Sequence, residues 1–371
     1  MKKIMVVFGT RPEAIKMCPL ILELKKRDSL KVVVALTGQH NEMLKQVMDV
    51  FKIKEDYNLN IMKKEQTLTD IAMDIMKGME PIIKEENPDL VLVHGDTSTS
   101  FVVALTSFYN HTPIGHVEAG LRTYNKLSPY PEEFNRQGIS SIADLHFAPT
   151  ERAKENLLDE HKGENSIFVT GNTVIDALKT TVTKDYSNEN LEFAKDKKLI
   201  LLTMHRRENI GEKMVSAFRG IRRVVDESED LALLYPVHLN PKVRKLAKEE
   251  LGNSSRIKLI EPVDVFDFHN IMKKSHLILT DSGGIQEEAP ALGKPVLVLR
   301  DTTERPEGIT AGTLKLIGTQ EDKVYTELKH ILEDKEAYEK MSKAINPYGD
   351  GRASIYIADI IQQYFQNYKT S

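Results

Sequence analysis

LVLVHGD at residues 90–96 and PIGHVEAG at residues 113–120 decide the fold. Each is an apolar run that ends in a carboxylate, Asp96 in the first and Glu118 in the second. A helix-like stretch separates them. In an open parallel sheet, ligands bind just beyond the carboxyl ends of the strands. Asp96 and Glu118 are therefore expected on one edge, where chemistry is done. Two acids held near one cleft tend to have their pKa values pushed apart, which supplies an acid and a base together.

The same alternation extends outward in both directions. Residues 4–8 are continuously apolar, as a strand buried on both faces should be. Residues 12–26 place a proline in the first turn and apolar residues at helical spacing, which predicts a helix. Further strands are expected at 32–36, 145–147 and 167–169, and further helices at 41–51 and 69–86. Gly171-Asn172 reads as a hinge. The pattern then restarts, with strands at 199–203, 232–237, 257–260, 277–280 and 295–299 and helices at 211–227, 241–250 and 282–292. This spacing predicts parallel βαβ units. The expected architecture is α/β, with two Rossmann-like, doubly wound parallel-sheet domains facing a central cleft. They divide as 1–170 and 171–352, and a C-terminal helix at 353–371 packs back onto the first.

Composition narrows the class. A chain of 371 residues is long for one core, and two domains are the natural prior. Lysine and arginine number 51 against 55 aspartates and glutamates, a net charge of -4. That balance argues against nucleic acid as the main partner, while leaving room for a local basic cleft. The only cysteine, Cys18, cannot form an intrachain disulfide, which fits a reducing, cytoplasmic setting. No His/Cys cluster has zinc spacing. The apolar run after Met1-Lys2-Lys3 is short for a signal peptide, and no stretch approaches a membrane span.

Several strings at expected strand ends carry chemistry. FGTRPE at 8–13 turns the first strand into the first helix. Arg11 sits at that helix N-terminus, where N–H groups favour anions, and an arginine can grip a phosphate bidentately. A surface arginine beside a capping threonine is the bland alternative. DSGGIQEE at 281–288 follows a strand and precedes a helix. Ser282 can cap that helix, Gly283 and Gly284 allow a pyrophosphate close to the backbone, and Glu288 can accept ribose hydroxyls. An ordinary serine-capped helix reads equally well. MHRREN at 204–209 concentrates charge at a strand end, and His205 could neutralise or protonate a departing phosphate. YPEEFNR at 130–136 opens a helix, where Glu132 and Glu133 would simply complement the dipole. The polar loop before it could instead bring Glu132 to the site.

Taken together, these strings resemble the non-hydrolysing UDP-N-acetylglucosamine 2-epimerases. The matching strings are GTRPEAIKM at 9–17, GDT at 95–97, HVEAGLRT at 116–123, SPYPEEFNR at 128–136, HRRENIG at 205–211, DSGGIQEEAP at 281–290 and ERPEG at 304–308. The resemblance implies a glycosyltransferase-B fold, a homodimer and inversion at C2 of the sugar. It implies no cofactor and no metal. Asp96, Glu118 and Glu132 match the carboxylates that move the C2 proton, and His205 matches the residue near the leaving diphosphate. Arg11, Lys16, Arg136, Ser282, Gly283, Gly284 and Glu288 match contacts to UDP or substrate. Helical periodicity alone would leave Lys16 exposed. Gln39, His40, Glu132, Arg206 and His238 match a second UDP-N-acetylglucosamine site that activates some members. The product would feed a cell-surface polysaccharide.

Three rivals remain at this stage. A glycosyltransferase on the same fold would use the UDP site but need an acceptor pocket. A hydrolysing relative would release N-acetylmannosamine and UDP. A non-catalytic sugar-nucleotide sensor would have no use for the matched carboxylates.

Overall fold

The computed structural model describes residues 1–38, 41–63 and 65–367. The first sheet contains β1 (Lys2–Phe8), β2 (Leu30–Leu36), β3 (Tyr57–Asn58), β4 (Leu90–His94), β5 (Ile114–Val117), β6 (Leu145–Ala148) and β7 (Ile167–Val169). Its order is β3-β2-β1-β4-β5-β6-β7, and every pairing is parallel. The second sheet contains β8 (Lys198–Thr203), β9 (Leu231–Pro236), β10 (Ile257–Ile260), β11 (Leu277–Thr280), β12 (Val296–Val298) and β13 (Leu314–Leu316). Its order is β10-β9-β8-β11-β12-β13, again all parallel. Both are doubly wound, so the chain is a two-domain Rossmann-like α/β protein. In each sheet the order reverses beside the first strand, β1 or β8. Such a switch point opens a crevice at the carboxyl edge.

Burial explains the strand chemistry. Ile4, Met5, Val6, Val7 and Phe8 are all buried, although neighbours along a strand point to opposite faces. Helices therefore cover both faces of the sheet, and each such side chain contributes about 1.5–3 kcal/mol on burial. Met5, Val7, Val91, Val93 and Ile139 belong to one core of the first unit. Leu202, Leu233, Leu279, Phe218 and Val324 belong to a core of the second.

The first compact unit covers Met1–Thr180 and resumes at Tyr348, while the second covers Thr181–Pro347. The division lies beyond the Gly171-Asn172 turn because helix Thr173–Thr181 is tied to the returning chain. The Asp176 carboxylate accepts the backbone N–H groups of Ala353 at 3.1 Å and Ser354 at 2.9 Å. Asn172 N–H also donates to the Tyr348 carbonyl at 2.7 Å. Helix Ala353–Asn367 packs against helix Arg11–Leu24, and Arg27 pairs with Asp359 at 2.9 Å.

Two edge strands carry too little apolar pattern to be read from sequence. β3 has two residues, and its approach to β2 is pinned by Asp56, which accepts Val34 N–H at 2.8 Å. β13 reads Leu-Lys-Leu and lies at the sheet edge. The helix expected at 282–292 is shorter, Ile285–Ala291. Ser282 consequently does not cap it. Its N–H donates instead to Thr280 Oγ1 at 2.9 Å, so Ser282, Gly283 and Gly284 form a turn beyond β11.

Candidate active site

The carboxyl end of β1 is organised by a carboxylate that the motif analysis passed over. Glu13, in the first turn of helix Arg11–Leu24, is buried. One oxygen accepts from Gly9 N–H at 3.1 Å, Thr10 N–H at 2.8 Å and Thr10 Oγ1 at 2.8 Å. The other accepts from Thr97 Oγ1 at 2.8 Å and Ser100 Oγ at 2.9 Å. Glu13 thus ties the turn after β1 to the turn after β4. Gly9 is required there by close approach: a Cβ would lie 2.0 Å from Thr37 Oγ1 and 2.6 Å from Thr99 Oγ1. Arg11 stands half-buried at the helix start, and its guanidinium has no partner among the described residues.

β4 and β5 are neighbours, with His94 in register with Val117. Asp96 and Glu118 follow them directly. Gly95 and Glu118 both leave their strands with left-handed backbone, at φ of 63° and 62°. Glycine adopts this freely, whereas a glutamate does so at a cost, which marks Glu118 as a strained position.

The two carboxylates sit in different environments. Glu118 Oε2 meets the Lys16 ammonium, accepts from Asn172 Nδ2 at 2.8 Å, and lies 3.5 Å from His94 Nε2. Burial alone would push this carboxyl up; Lys16 and then His94 outweigh it and hold Glu118 well below the usual range. Asp96 is about one-third exposed, at 32%, and pairs with Arg136 at 3.2 Å. Here desolvation wins over Arg136, the nearby Glu118 charge adds to it, and the Asp96 carboxyl is raised. Asn135 Nδ2 donates to the Asp96 carbonyl at 2.8 Å and fixes the turn.

Glu132 and Glu133 begin helix Glu132–Ile142 and serve different ends. Glu133 is buried, accepting from Thr123 N–H at 3.0 Å and Tyr124 N–H at 2.9 Å, which folds the polar loop onto the helix. Glu132 Oε2 is buried with no hydrogen-bond partner among the described residues, which a dipole-complementing surface acid would not be.

In the second unit, Asp281 does the organising. It is buried and accepts from His205 N–H at 3.0 Å, Arg206 N–H at 2.9 Å and Asn209 Nδ2 at 3.0 Å. This binds the loop after β8 to the end of β11. His205 lies 3.5 Å from Asp281 through Nδ1 and stacks on His238, ring centroids 5.5 Å apart. Burial lowers the His205 pKa against the pull of Asp281, and His238 and Arg206 lower it further. These surroundings favour the neutral imidazole of His205 over its charged form. The Ser282–Gly284 turn lies beside arginines. A Cβ on Gly283 would come 3.6 Å from Arg206 Nη2 and 4.0 Å from Arg305 Nη2. Arg305 is held by Glu287. Arg206 is 3.8 Å from Glu304, whose other partner is Arg300 at 2.7 and 3.1 Å. Burial opposes ionisation of Glu304, but the bidentate Arg300 brings it down to about 2. Glu288 Oε2 lies 3.3 Å from His269 Nε2, and the Thr181 hydroxyl is 2.7 Å from His269 Nδ1.

The expected residues thus fall into two groups. Lys16 with Glu118 and Asp96 with Arg136 form two ion pairs at the ends of the adjacent strands β4 and β5, with Arg136 also 3.4 Å from the Glu132 carbonyl oxygen. His205, Arg206, Ser282, Gly283, Gly284 and Glu288 lie about the carboxyl edge of β8 and β11. Lys16 is drawn in by Glu118 and is only 15% exposed, contrary to the reading from periodicity. Arg206 lies against the glycine turn; His238 is exposed and touches the group through His205. Gln39 and His40 lie outside the described residues. Glu13, His94, Asn172, Asn209, Asp281 and Arg305 were missed as site builders. All but Asn172 were visible only as members of the quoted strings, and Asn172 read as a hinge. Among the described residues no cluster of three metal-ligating side chains occurs, and no helix is long and apolar enough to cross a membrane.

Comparison with known proteins gives this arrangement its family. A family model described as UDP-N-acetylglucosamine 2-epimerase matches residues 22–362. The UDP-N-acetylglucosamine 2-epimerase of Bacillus subtilis (strain 168) is 59% identical over 357 residues, covering 96% of this chain and 94% of that protein. The S. aureus MnaA–UDP co-structure superimposes with a TM-score of 0.90 at 54% identity, over 99% of this chain and 97% of that one. The Neisseria meningitidis UDP-GlcNAc 2-epimerase bound to UDP-GlcNAc gives a TM-score of 0.87 at 47% identity, over 97% and 100%. With matches that run nearly end to end, the chain belongs to the UDP-N-acetylglucosamine 2-epimerase family.

Proposed function

We propose that this protein is the non-hydrolysing epimerase, interconverting UDP-N-acetylglucosamine and UDP-N-acetylmannosamine by eliminating UDP and adding it back. The observation that carries the reading is the pair Asp96 and Glu118. They follow adjacent parallel strands and are displaced in opposite directions, one towards its protonated form and one firmly ionised.

The chemistry explains why such a pair is needed. C2–H beside an acetamido group is barely acidic. It becomes removable as the C1–oxygen bond to UDP breaks and positive charge builds on the ring. The proton passes to a carboxylate, a C1–C2 double bond forms, and UDP departs with the bonding electrons. Reprotonation of the resulting 2-acetamidoglucal at C2 from the opposite face, with return of UDP to C1, gives the epimer. No carbon is oxidised. On this reading Glu118, ionised and held by Lys16 and Asn172, serves as a proton acceptor. Asp96, with its raised carboxyl, can carry one, and Glu132 supplies the third carboxylate. General acid–base assistance of this kind contributes about 10²–10⁴-fold. Arg11, Arg136, the Ser282–Gly284 turn and Glu288 hold nucleotide or sugar. Neutral His205 donates to the leaving diphosphate. Retention of UDP until it recombines separates this reaction from hydrolysis.

The same reading carries a homodimer, a cytoplasmic setting, supply of a cell-surface polysaccharide, and activation by a second UDP-N-acetylglucosamine near Arg206 and His238. Proton NMR with UDP-N-acetylglucosamine in D2O tests the core of it. A UDP-N-acetylmannosamine anomeric signal with deuterium at C2 is the expected result. Free N-acetylmannosamine would establish the hydrolysing reaction instead, and an unchanged spectrum with substrate bound would refute both.

A further inference from the structure

The amino-terminal edge of the second sheet carries charge that the proposed reaction does not use. Residues just before β8, β9, β11 and β12 line a cavity of about 490 Å³, closed on one side by Tyr338. Four lysines reach it: Lys197, Lys198, Lys274 and Lys294. Lys198 is 3.4 Å from Asp230, and Lys197 donates to the Glu229 carbonyl. The ammonium groups of Lys274 and Lys294 have no hydrogen-bond or ion-pair partner among the described residues. Asp196 and Asp230 are the acids in the lining, so four lysines face two carboxylates, an excess of two positive charges. The whole chain carries -4, so this cluster runs against the general surface.

The cavity is also built. Lys294 is half-buried, and burial, with Lys273 nearby, pushes its ammonium down to about 8. An ammonium taken out of water without a counter-ion is unfavourable, and a bound anion would reverse that cost. The His276 ring stacks on Tyr338, centroids 4.3 Å apart and 8° from parallel, and the Tyr338 hydroxyl donates to the His276 carbonyl at 2.9 Å. That clamp gives the cavity a rigid aromatic wall.

We propose that this cavity binds a small phosphorylated ligand carrying at least two negative charges, at a site distinct from the carboxyl-edge nucleotide residues. Compact ammonium groups act as point charges towards phosphate and do not need the bidentate fit an arginine imposes. Two unpartnered ammonium groups and an excess of two charges match a dianion better than a monocarboxylate. The volume falls in the range of small-molecule pockets, roughly 300–1,000 Å³.

Amine labelling with acetic anhydride, read residue by residue by mass spectrometry, tests the site on the full chain with UDP present. Inorganic pyrophosphate is the probe. It is expected to protect Lys274 and Lys294 while leaving Lys242 and Lys335, exposed elsewhere on the same unit, unchanged. Calorimetry should then show pyrophosphate affinity weakened about tenfold or more in the Lys274→Gln/Lys294→Gln double variant. Equal labelling with and without pyrophosphate overturns the proposal. So does unaltered affinity in the variant, or protection that UDP alone reproduces. Because protection is read at each lysine, a failure of the epimerase reading would not mask either result.

Discussion

Glu13 in the first unit and Asp281 in the second do the same work. Each is a buried carboxylate near the switch point of its sheet, and each ties two strand-end segments together: Glu13 accepts from the turns after β1 and β4, and Asp281, itself beyond β11, accepts from the loop after β8. Around them the two carboxyl edges diverge. The first offers Asp96, Glu118 and Glu132, carboxylates that are strained, displaced in pKa or short of a partner. The second offers His205, Arg206, Arg305 and the backbone of a glycine turn. Glu13 and Asp281 are satisfied by the loops they build, whereas Asp96 and Glu118 are displaced in pKa by neighbouring charges and burial, and Glu132 keeps one buried oxygen without a hydrogen-bond partner among the described residues. The two sheets thus carry different chemistry at their carboxyl edges, carboxylates on one and arginines, a histidine and a glycine turn on the other.

The largest effect should come from breaking the first edge. Asp96→Asn keeps the shape and removes the titrating proton, so turnover should fall by about 10²–10⁴-fold. UDP affinity measured by calorimetry should stay within a few-fold. Parallel loss of both would dissolve the distinction between the edges.

Arg11 tests whether the first edge also grips phosphate. Arg11→Ala should weaken UDP binding by roughly 1.5–3 kcal/mol, the range for a hydrogen bond to a charged group. Unchanged affinity by calorimetry would remove Arg11 from the site.

Two glycines sharpen the contrast between scaffold and function. Gly9→Ala would drive a Cβ into buried threonine oxygens, so thermal unfolding should report a loss of about 1–3 kcal/mol, as for other overpacked sites. Gly283→Ala meets only arginine tips at ordinary contact distance, so stability should hold while UDP affinity drops. Equal destabilisation by both would make Gly283 a packing residue.

The smallest effect is a displaced pH profile. Lys16 is the largest influence favouring the ionised form of Glu118. In Lys16→Met burial prevails, the carboxyl rises, and the acidic limb of kcat/KM should move to higher pH. A limb that stays in place would mean that Glu118 does not set it.

Much of this was legible in the sequence, for reasons that differ by residue. Strands such as β1 and β4 declare themselves because burial on both faces forces continuous apolar runs. Asp96, Glu118 and the glycine turn follow, since they must stand at strand ends. Periodicity alone puts Lys16 in solvent because it reports the helix's own face, not the carboxylate that Glu118 brings to it. Thr10-x-x-Glu13 is a local capping-box pattern, but the bonds of Glu13 to Thr97 and Ser100 and of Asn172 to Glu118 reach residues distant in sequence, and no local pattern encodes those. Ser282 reads as a cap only if the helix starts at once. The Thr280 hydroxyl takes its N–H and delays the helix to Ile285. β3 and β13 are too short for any periodicity.

Epimerisation through a glucal requires that UDP leave C1 and return. Substrate carrying ¹⁸O in the C1–oxygen–phosphorus bridge tests it most directly. If the bond breaks and the diphosphate turns before recombining, the label should scramble into the non-bridging oxygens of the β-phosphoryl group, which NMR of phosphorus resolves. Epimerisation with the label still wholly in the bridge would contradict the account and point to proton exchange at C2 without departure of UDP.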